Sequence, residues 1–305
     1  MENLERYKHL NKYLKEKFGE RTLKICIDGG FTCPNRINSS GCIFCSERGS
    51  GDHIKSADIT TQVQNYFKSY KAERANKFIA YFQNFTNTFA PIDILKSKYD
   101  AALIDDRIVA LAVATRPDCI TEEVCKLLKS YTYKYHVWVE LGLQTSNNIT
   151  GNLINRGYSS QQFTEAVALL NAYNIDVVTH IMVGLPGENF EDLKNTVSFI
   201  NSHNIQGLKI HCTYVVQNTM LADMFQEGTY SPITLQYYLD CVAYVLTHIS
   251  SDIVIHRVSG DAPKDLLIAP YWNSHKKWII NGLDKLLREQ DLWQGKYYEK
   301  KYHEE

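Results

Sequence analysis

The stretch FTCPNRINSSGCIFCSERGSGDH, residues 31–53, sets Cys33, Cys42 and Cys45 in a C-x8-C-x2-C arrangement within a polar, glycine- and serine-bearing segment. Thiols in such a loop are poor core residues and open to oxidation, so their spacing needs a chemical reason. Four chemistries compete. A structural zinc site closes with four ligands, and Cys26 or His53 would supply the fourth. A dithiol redox pair wants its C-x-x-C at a helix start in a thioredoxin-like unit, a context this segment lacks. Free structural thiols sit inside strands and helices, which is how Cys119, Cys125, Cys212 and Cys241 read. The fourth is an iron–sulfur cluster on three thiolates, which leaves one iron open to a small molecule. Cys26 falls inside the run KICIDGG and is left out of that set. Spacing alone leaves zinc and cluster level.

The elements that must position this loop follow from hydrophobic periodicity. Runs at 24–30, 77–83, 107–115, 136–144, 176–184, 207–216 and 252–260 predict seven strands. Between them lie amphipathic stretches such as SSQQFTEAVALLNAYN, with Phe163, Val167 and Leu170 on one face, and NFEDLKNTVSFINSHN, with Asn189 and Asp192 spaced as a helix N-cap arrangement. Strands alternating with helices imply parallel strands joined by right-handed crossovers, hence a doubly wound sheet or a complete or partial βα barrel. No G-x-G-x-x-G follows the first strand, which weighs against a dinucleotide-binding sheet. Ligands of parallel α/β folds lie at the carboxyl ends of strands. There this sequence carries the cysteine loop, QNFTNT (83–88), TRPD (115–118), Gln144 with TSNN, GLPGE (184–188) and HRVSGD (256–261), which together describe one rim. Alternation turns Trp138, Glu140, Gly142 and Gln144 to one side, and Lys209, His211 and Thr213 likewise, so a lysine and a histidine face a barrel interior.

The 305 residues suit one large domain, and 44% hydrophobic residues supply a core. With 33 basic against 34 acidic residues, a polyanion must meet a local patch rather than a global field. The segments RYKHLNKYLKEKFGERTLK and SHKKW to KYYEKKYH mix lysines with aromatics and are either such a patch or solvated helix faces. The start MENLERYKHL has no apolar signal core, and the longest apolar run, IVALAVA, is too short to span a bilayer. A cytoplasmic protein with no membrane segment is expected, and in a reducing compartment eight cysteines point to metal binding or catalysis.

In order along the chain, CPNRINSSGCIFC, ATRPD, VELGLQTSNN, NRGYS, HIMVGLPGE, LKIHCTYVV and HRVSGDAP resemble segments of radical S-adenosylmethionine enzymes. The resemblance is to the branch containing the catalytic subunit of Elongator and the shorter YhcC/YtqA-type bacterial proteins, and it runs from about residue 20 to the C-terminus. It implies an α/β fold, a partial (β/α)6-type TIM barrel over residues 23–260, with a basic helical extension at 1–22 and a helical extension at 261–305 packed on the barrel. It further implies that Cys33, Cys42 and Cys45 hold a [4Fe–4S] cluster whose free iron is chelated by S-adenosylmethionine. One electron then cleaves the sulfonium to a 5′-deoxyadenosyl radical, which abstracts hydrogen from an unactivated carbon in an enclosed space.

Other parts carry over residue by residue. Many family members contact the methionyl amine with Gly-Gly-Glu after the second strand; this sequence has YFQNFTNT there, so Gln83, Asn84, Thr86 or Asn87 would offer neutral acceptors instead. Glu140 and Gln144 would face the cofactor from the fourth strand, with a structural ion pair the rival role for Glu140. Arg116 and Arg156 would hold carboxylates by forked hydrogen bonds, or else cap a helix or pair with a neighbouring acid. Gly184, Pro186 and Gly187 would shape a turn by which backbone approaches the adenine. The Elongator-like branch points to the wobble uridine of transfer RNA. The chain shows no acetyltransferase domain, and the shorter relatives are linked with conversion of carboxymethylaminomethyl-uridine to aminomethyl-uridine. Lys209 and His211 are then the catalytic candidates, with Arg257 and the basic ends for the carboxylate and anticodon phosphates, and a flavodoxin or ferredoxin as electron donor. The alternatives are a radical enzyme acting on a protein or small molecule, and a non-catalytic zinc-stapled RNA-binding protein.

Overall fold

The computed structural model describes residues 5–37, 39–49, 57–260 and 262–299. Seven strands form one parallel sheet in the order β1 (Thr22–Ile27), β2 (Lys77–Phe82), β3 (Ile108–Thr115), β4 (His136–Gln144), β5 (Asp176–Val183), β6 (Gly207–Cys212) and β8 (Val254–Arg257). A two-stranded antiparallel ribbon joins β7 (Val215–Val216) to β9 (Leu267–Ala269). The crossovers carry α2 (Ile59–Phe67), α3 (Ile92–Ala102), α4 (Glu122–Tyr131), α5 (Asn148–Leu153), α6 (Ser160–Ala172), α7 (Phe190–Asn201), α8 (Met220–Gln226) and α9 (Leu235–His248), with α1 (Leu10–Phe18) before the sheet and α10 (Lys276–Glu289) after it. Capping boxes start two of them: Ser159 with Gln162 opens α6, and Asn189 with Asp192 opens α7, as the Asn189 spacing predicts. Each satisfies amide donors that a helix start leaves open, a contribution of about 1 kcal/mol.

The sheet is curled. Strands β2 and β6 stand four places apart, which in a flat sheet is roughly 19 Å at about 4.8 Å per strand. Yet Lys209 of β6 donates to the Tyr81 hydroxyl of β2 at 3.0 Å, so the two meet across a lumen. The curl stops short of closure, since β1 and β8 remain the two ends of the order. Alternation sorts the layers. Val137, Val139, Leu141 and Leu143 join the main core beneath the helices, whereas Tyr81, Ala112, Ala114 and Trp138 face inward and pack on Leu14 of α1. The basic N-terminal helix therefore covers the barrel floor. A cavity of about 230 Å³ lies there between α1 and the amino ends of the strands, lined among others by Tyr13, His136, Trp138, Asp176 and His256. It is at the wrong end for the chemistry of a parallel α/β fold, whose ligands sit at the carboxyl ends.

Two expectations need correction. The single strand expected over 207–216 breaks after Cys212, because Thr213 ends the ladder on Val183 and the chain turns to pair with β9. The run expected over 252–260 is strand only from Val254 to Arg257. Among the described residues no helix is long and apolar enough to cross a membrane.

Candidate active site

The cysteine loop is pinned by residues between its thiols. Cys33 leads into a short turn over Pro34–Arg36, with proline at a position where its missing amide donor costs nothing. Arg36 donates to the Cys45 carbonyl at 2.9 Å and the Ser46 carbonyl at 2.5 Å. Ile43 is buried among Ile154, Leu185 and Leu221, and it is bonded through its amide to Ile154 and through its carbonyl to Leu221. Asn35 and Asn155 clamp the remainder, Asn35 Nδ2 to the Asn155 carbonyl at 2.6 Å and Asn155 Nδ2 to the Gly41 carbonyl at 2.7 Å.

Cys33, Cys42 and Cys45 form no disulfide and are partly exposed. Burial pushes the Cys42 thiol up to about 12, with Cys45 and then Cys33 adding to the rise against the opposing pull of Arg116 and Asn35. Charge on Cys45 or Cys33 thus disfavours the Cys42 thiolate unless a cationic centre compensates it. Two donors already face them: Asn35 Nδ2 lies 3.8 Å from Cys42 Sγ, and Arg116 Nη1 lies 3.8 Å from Cys33 Sγ. Hydrogen bonds to the sulfurs are a known lever on cluster potential. A cubane takes one thiolate per iron, and three thiols on one loop with side-chain donors facing two of them fit such a group. Cys26 lies in β1 rather than in the loop, and His53 lies outside the described residues, as does Asp261.

Around the loop the rim residues divide into unpartnered and engaged groups. Asn84 and Thr86, 3% and 1% exposed, keep Oδ1 and Oγ1 without partners among the described residues. Such buried acceptors are costly unless something donates to them, and a ligand ammonium would. Asn87 braces its turn through Nδ2, donating to the carbonyls of Phe82 and Ala114, while its buried Oδ1 likewise has no partner among the described residues. Gln83 carries its amide to the Ile27 carbonyl, tying β2 to β1. Gln144, in left-handed backbone at φ 59°, accepts from the Tyr158 hydroxyl at 2.7 Å. Pro186 is buried, and the room left by the absent side chain of Gly184, at φ 84°, is taken by Ile233, with the Gly184 carbonyl held by Tyr230. The glycine serves that packing.

The two arginines are engaged within the chain. Arg116 forks onto Asp118 at 2.9 and 2.8 Å and donates to the Arg156 carbonyl. Arg156, 1% exposed, donates to the carbonyls of Leu143, Thr145 and Tyr158 and to Asn148 Oδ1, so it fastens the β4–α5 loop. The pairing with a neighbouring acid is what Arg116 adopts here.

Beside them Glu188 is raised to about 7, first by burial, with Asp192 adding to the rise and Thr145 and Thr150 relieving part of it. Its folded-state value lies above the unfolded one, so between about 4.5 and about 7 the native state binds more protons and stability falls as pH rises. Glu188→Gln should therefore raise the urea midpoint at pH 8, by about 1–2 kcal/mol of stability, and make little difference near pH 4. An equal gain at both pH values would refute this.

Glu140 occupies the centre of the lumen. Lys209 and Lys24 pair with it, Tyr81 donates at 2.7 Å, Trp138 Nε1 at 3.2 Å, and His180 Nε2 lies at 3.0 Å. Burial opposes its ionisation, but Lys209, then Lys24 and the His180 hydrogen bond outweigh that, holding the carboxyl well below the usual range. The carboxylate forms an ion pair with each of the two lysines. His211 differs: its ring stands 5.3 Å from that of His180, its Nε2 has no partner among the described residues, and burial followed by His180 and Arg257 holds it well below the usual histidine value. Lys24, Tyr81 and His180 escaped the sequence reading, although period-two alternation along β1, β2 and β5 places them inward. Asn35 and Ile43 had no comparable signal.

Residues 30–200 match the Radical SAM superfamily, and residues 205–289 match the Radical_SAM C-terminal domain. YtqA of Bacillus subtilis (strain 168) is 35% identical over 301 residues, 97% of this chain and 94% of its own length. The tRNA uridine(34) acetyltransferase of Methanocaldococcus infernus is 28% identical over 166 residues, 53% of this chain but 30% of that protein. The solved structure of archaeal Methanocaldococcus infernus Elp3 with an N-terminal deletion superposes with a TM-score of 0.67 at 18% identity, covering 90% of this chain and 64% of that one.

Proposed function

This chain belongs to the radical S-adenosylmethionine superfamily, and on that premise we propose that it modifies the wobble uridine of transfer RNA, converting carboxymethylaminomethyl-uridine to aminomethyl-uridine in the cytoplasm. It is an enzyme whose cofactors are a [4Fe–4S] cluster and S-adenosylmethionine. When bound, the pair supplies a 5′-deoxyadenosyl radical that removes hydrogen from a substrate carbon. Cys33, Cys42 and Cys45 would hold the cluster, and Asn84 and Thr86 would accept from the cofactor's ammonium group.

The observation that carries the substrate is the cationic lumen. Burial first, then Lys24 and Arg257, lower Lys209 to about 7 against the opposing pull of Glu140, so Lys24 and Arg257 supply the positive field beside it. That field suits an anionic group such as the substrate's carboxylate. The conversion breaks the bond between the amine nitrogen and the carboxymethyl carbon: that carbon gives up a hydrogen atom to the deoxyadenosyl group and a further electron to a one-electron carrier of the flavodoxin or ferredoxin class, and water then releases it as glyoxylate, leaving the amine on the uridine. His211, held neutral by burial, offers Nε2 to that nitrogen. Lys209 orients the carboxylate while remaining paired to Glu140. The uridine specificity of the acetyltransferase relative supports the polymer, and a flavodoxin or ferredoxin would supply the electron.

Undermodified transfer RNA incubated with reduced enzyme and S-adenosylmethionine should yield aminomethyl-uridine, read by mass spectrometry of the wobble nucleoside. Unchanged nucleoside alongside steady deoxyadenosine formation would remove this substrate and favour a protein or small metabolite.

A further inference from the structure

Three aromatic side chains of the C-terminal segment stand together on the outside of the molecule. Tyr271 and Trp278 are 70% and 50% exposed. His275 lies against both, with its ring 4.2 Å from Trp278 at 14° between planes and 4.6 Å from Tyr271. The face of α10 that packs inward is Ile279, Leu283 and Leu287, so Trp278 is not needed to dock the helix. Lys276 and Lys277 are exposed beside it. Large aromatic surfaces are seldom left in water at one place without a partner. Aromatic faces flanked by lysines are the combination that stacks unpaired bases and neutralises the adjoining phosphates.

The patch belongs to a segment fastened to the barrel mouth. Asp265, just before β9, pairs with Arg48 of the cysteine loop at 3.0 Å. Strand β9 pairs with β7, which follows the carboxyl end of β6. Trp272, next to Tyr271, donates to the Ile233 carbonyl at 3.2 Å, and Ile233 packs on Gly184 of the rim. A net charge of −1 provides no long-range pull on a polyanion, so attachment must come from a local surface of this kind.

We infer that Tyr271, His275 and Trp278, with Lys277, form a stacking platform for an unpaired RNA loop and hold it at the mouth of the barrel. This rests on the transfer-RNA reading above and adds the surface that carries it. The platform reads the faces of bases rather than their edges, so it discriminates loop from duplex more than one sequence from another.

The test is fluorescence anisotropy of a labelled stem-loop RNA titrated with the full, cluster-reconstituted protein, with a blunt RNA duplex in parallel. Tyr271→Ala and Trp278→Ala should each weaken stem-loop binding by about 5- to 150-fold and leave weak duplex binding unchanged. Trp278→Phe should restore most of the affinity, and Lys277→Glu should weaken binding and flatten its salt dependence. Deoxyadenosine formation without RNA should persist in every variant. Wild type that fails to bind the stem-loop overturns both this inference and the transfer-RNA reading. Wild type that binds while the alanine variants bind equally well overturns the platform alone. Dimerisation lost in the variants with unchanged RNA affinity assigns the patch to a second copy of the chain and likewise overturns it.

Discussion

Replacing Cys42 with alanine is expected to abolish cluster assembly and with it all deoxyadenosine formation, while the protein stays folded. Cys42 is one of three loop thiols outside any disulfide, and it senses the other two. Losing a coordinating thiolate should exceed the about 10- to 100-fold loss that removing a ligand's supporting partner causes. Iron and sulfide analysis after anaerobic reconstitution reads the effect directly, apart from turnover. The fold should survive because the loop is anchored by the packing of Ile43, the Arg36 bond to the Cys45 carbonyl and the Asn35 bond to the Asn155 carbonyl, none of which ends on the sulfur. Cys125→Ala is the contrasting case: that thiol is buried in α4 within the main core, so the change should cost about 1 kcal/mol of stability and leave iron content untouched. A Cys42→Ala protein that still binds a full complement of iron and sulfide would contradict the assignment.

Glu140→Gln should produce the largest loss of stability among lumen substitutions, about 3–5 kcal/mol. The carboxylate is fully buried, and its partner Lys209 has a side chain only 6% exposed. Removing the negative charge leaves Lys209 and Lys24 facing each other without compensation and weakens the acceptor that Tyr81, Trp138 and His180 use. The sign with pH is fixed by the same group. Its folded-state value is depressed, so its contribution is present above the ordinary glutamate range and is lost as pH falls toward that depressed value. Urea unfolding should show a large deficit for the variant near pH 7 that narrows in acid. Adding Lys209→Met to Glu140→Gln should recover part of the deficit, because the uncompensated cation goes with it. A deficit below about 1 kcal/mol would mean the network is solvated rather than buried.

Much of the architecture was legible beforehand for local reasons. Period-two runs marked the strands that became the parallel sheet, and the Asn189 and Asp192 spacing marked the start of α7. The C-x8-C-x2-C spacing marked the loop as a candidate ligand set. Less was legible where partners are distant. The roles of Arg116 and Arg156 turned on carbonyls and an acid that only the folded rim assembles. The short ribbon of β7 with β9 was hidden because Val215–Val216 read as the end of the 207–216 strand and Leu267–Ala269 is too brief to register.

By itself, the sequence determined which residue types lie after each strand and which side of β4 turns inward, because both follow from a repeat read within a few residues. Only the tertiary structure assembled the partners of Glu140. Its partners Tyr81, Lys209 and Lys24 are 59, 69 and 116 positions away. They reach one carboxylate only because the sheet curls and brings β1, β2, β4 and β6 around a common lumen, where low exposure makes the pairing obligatory.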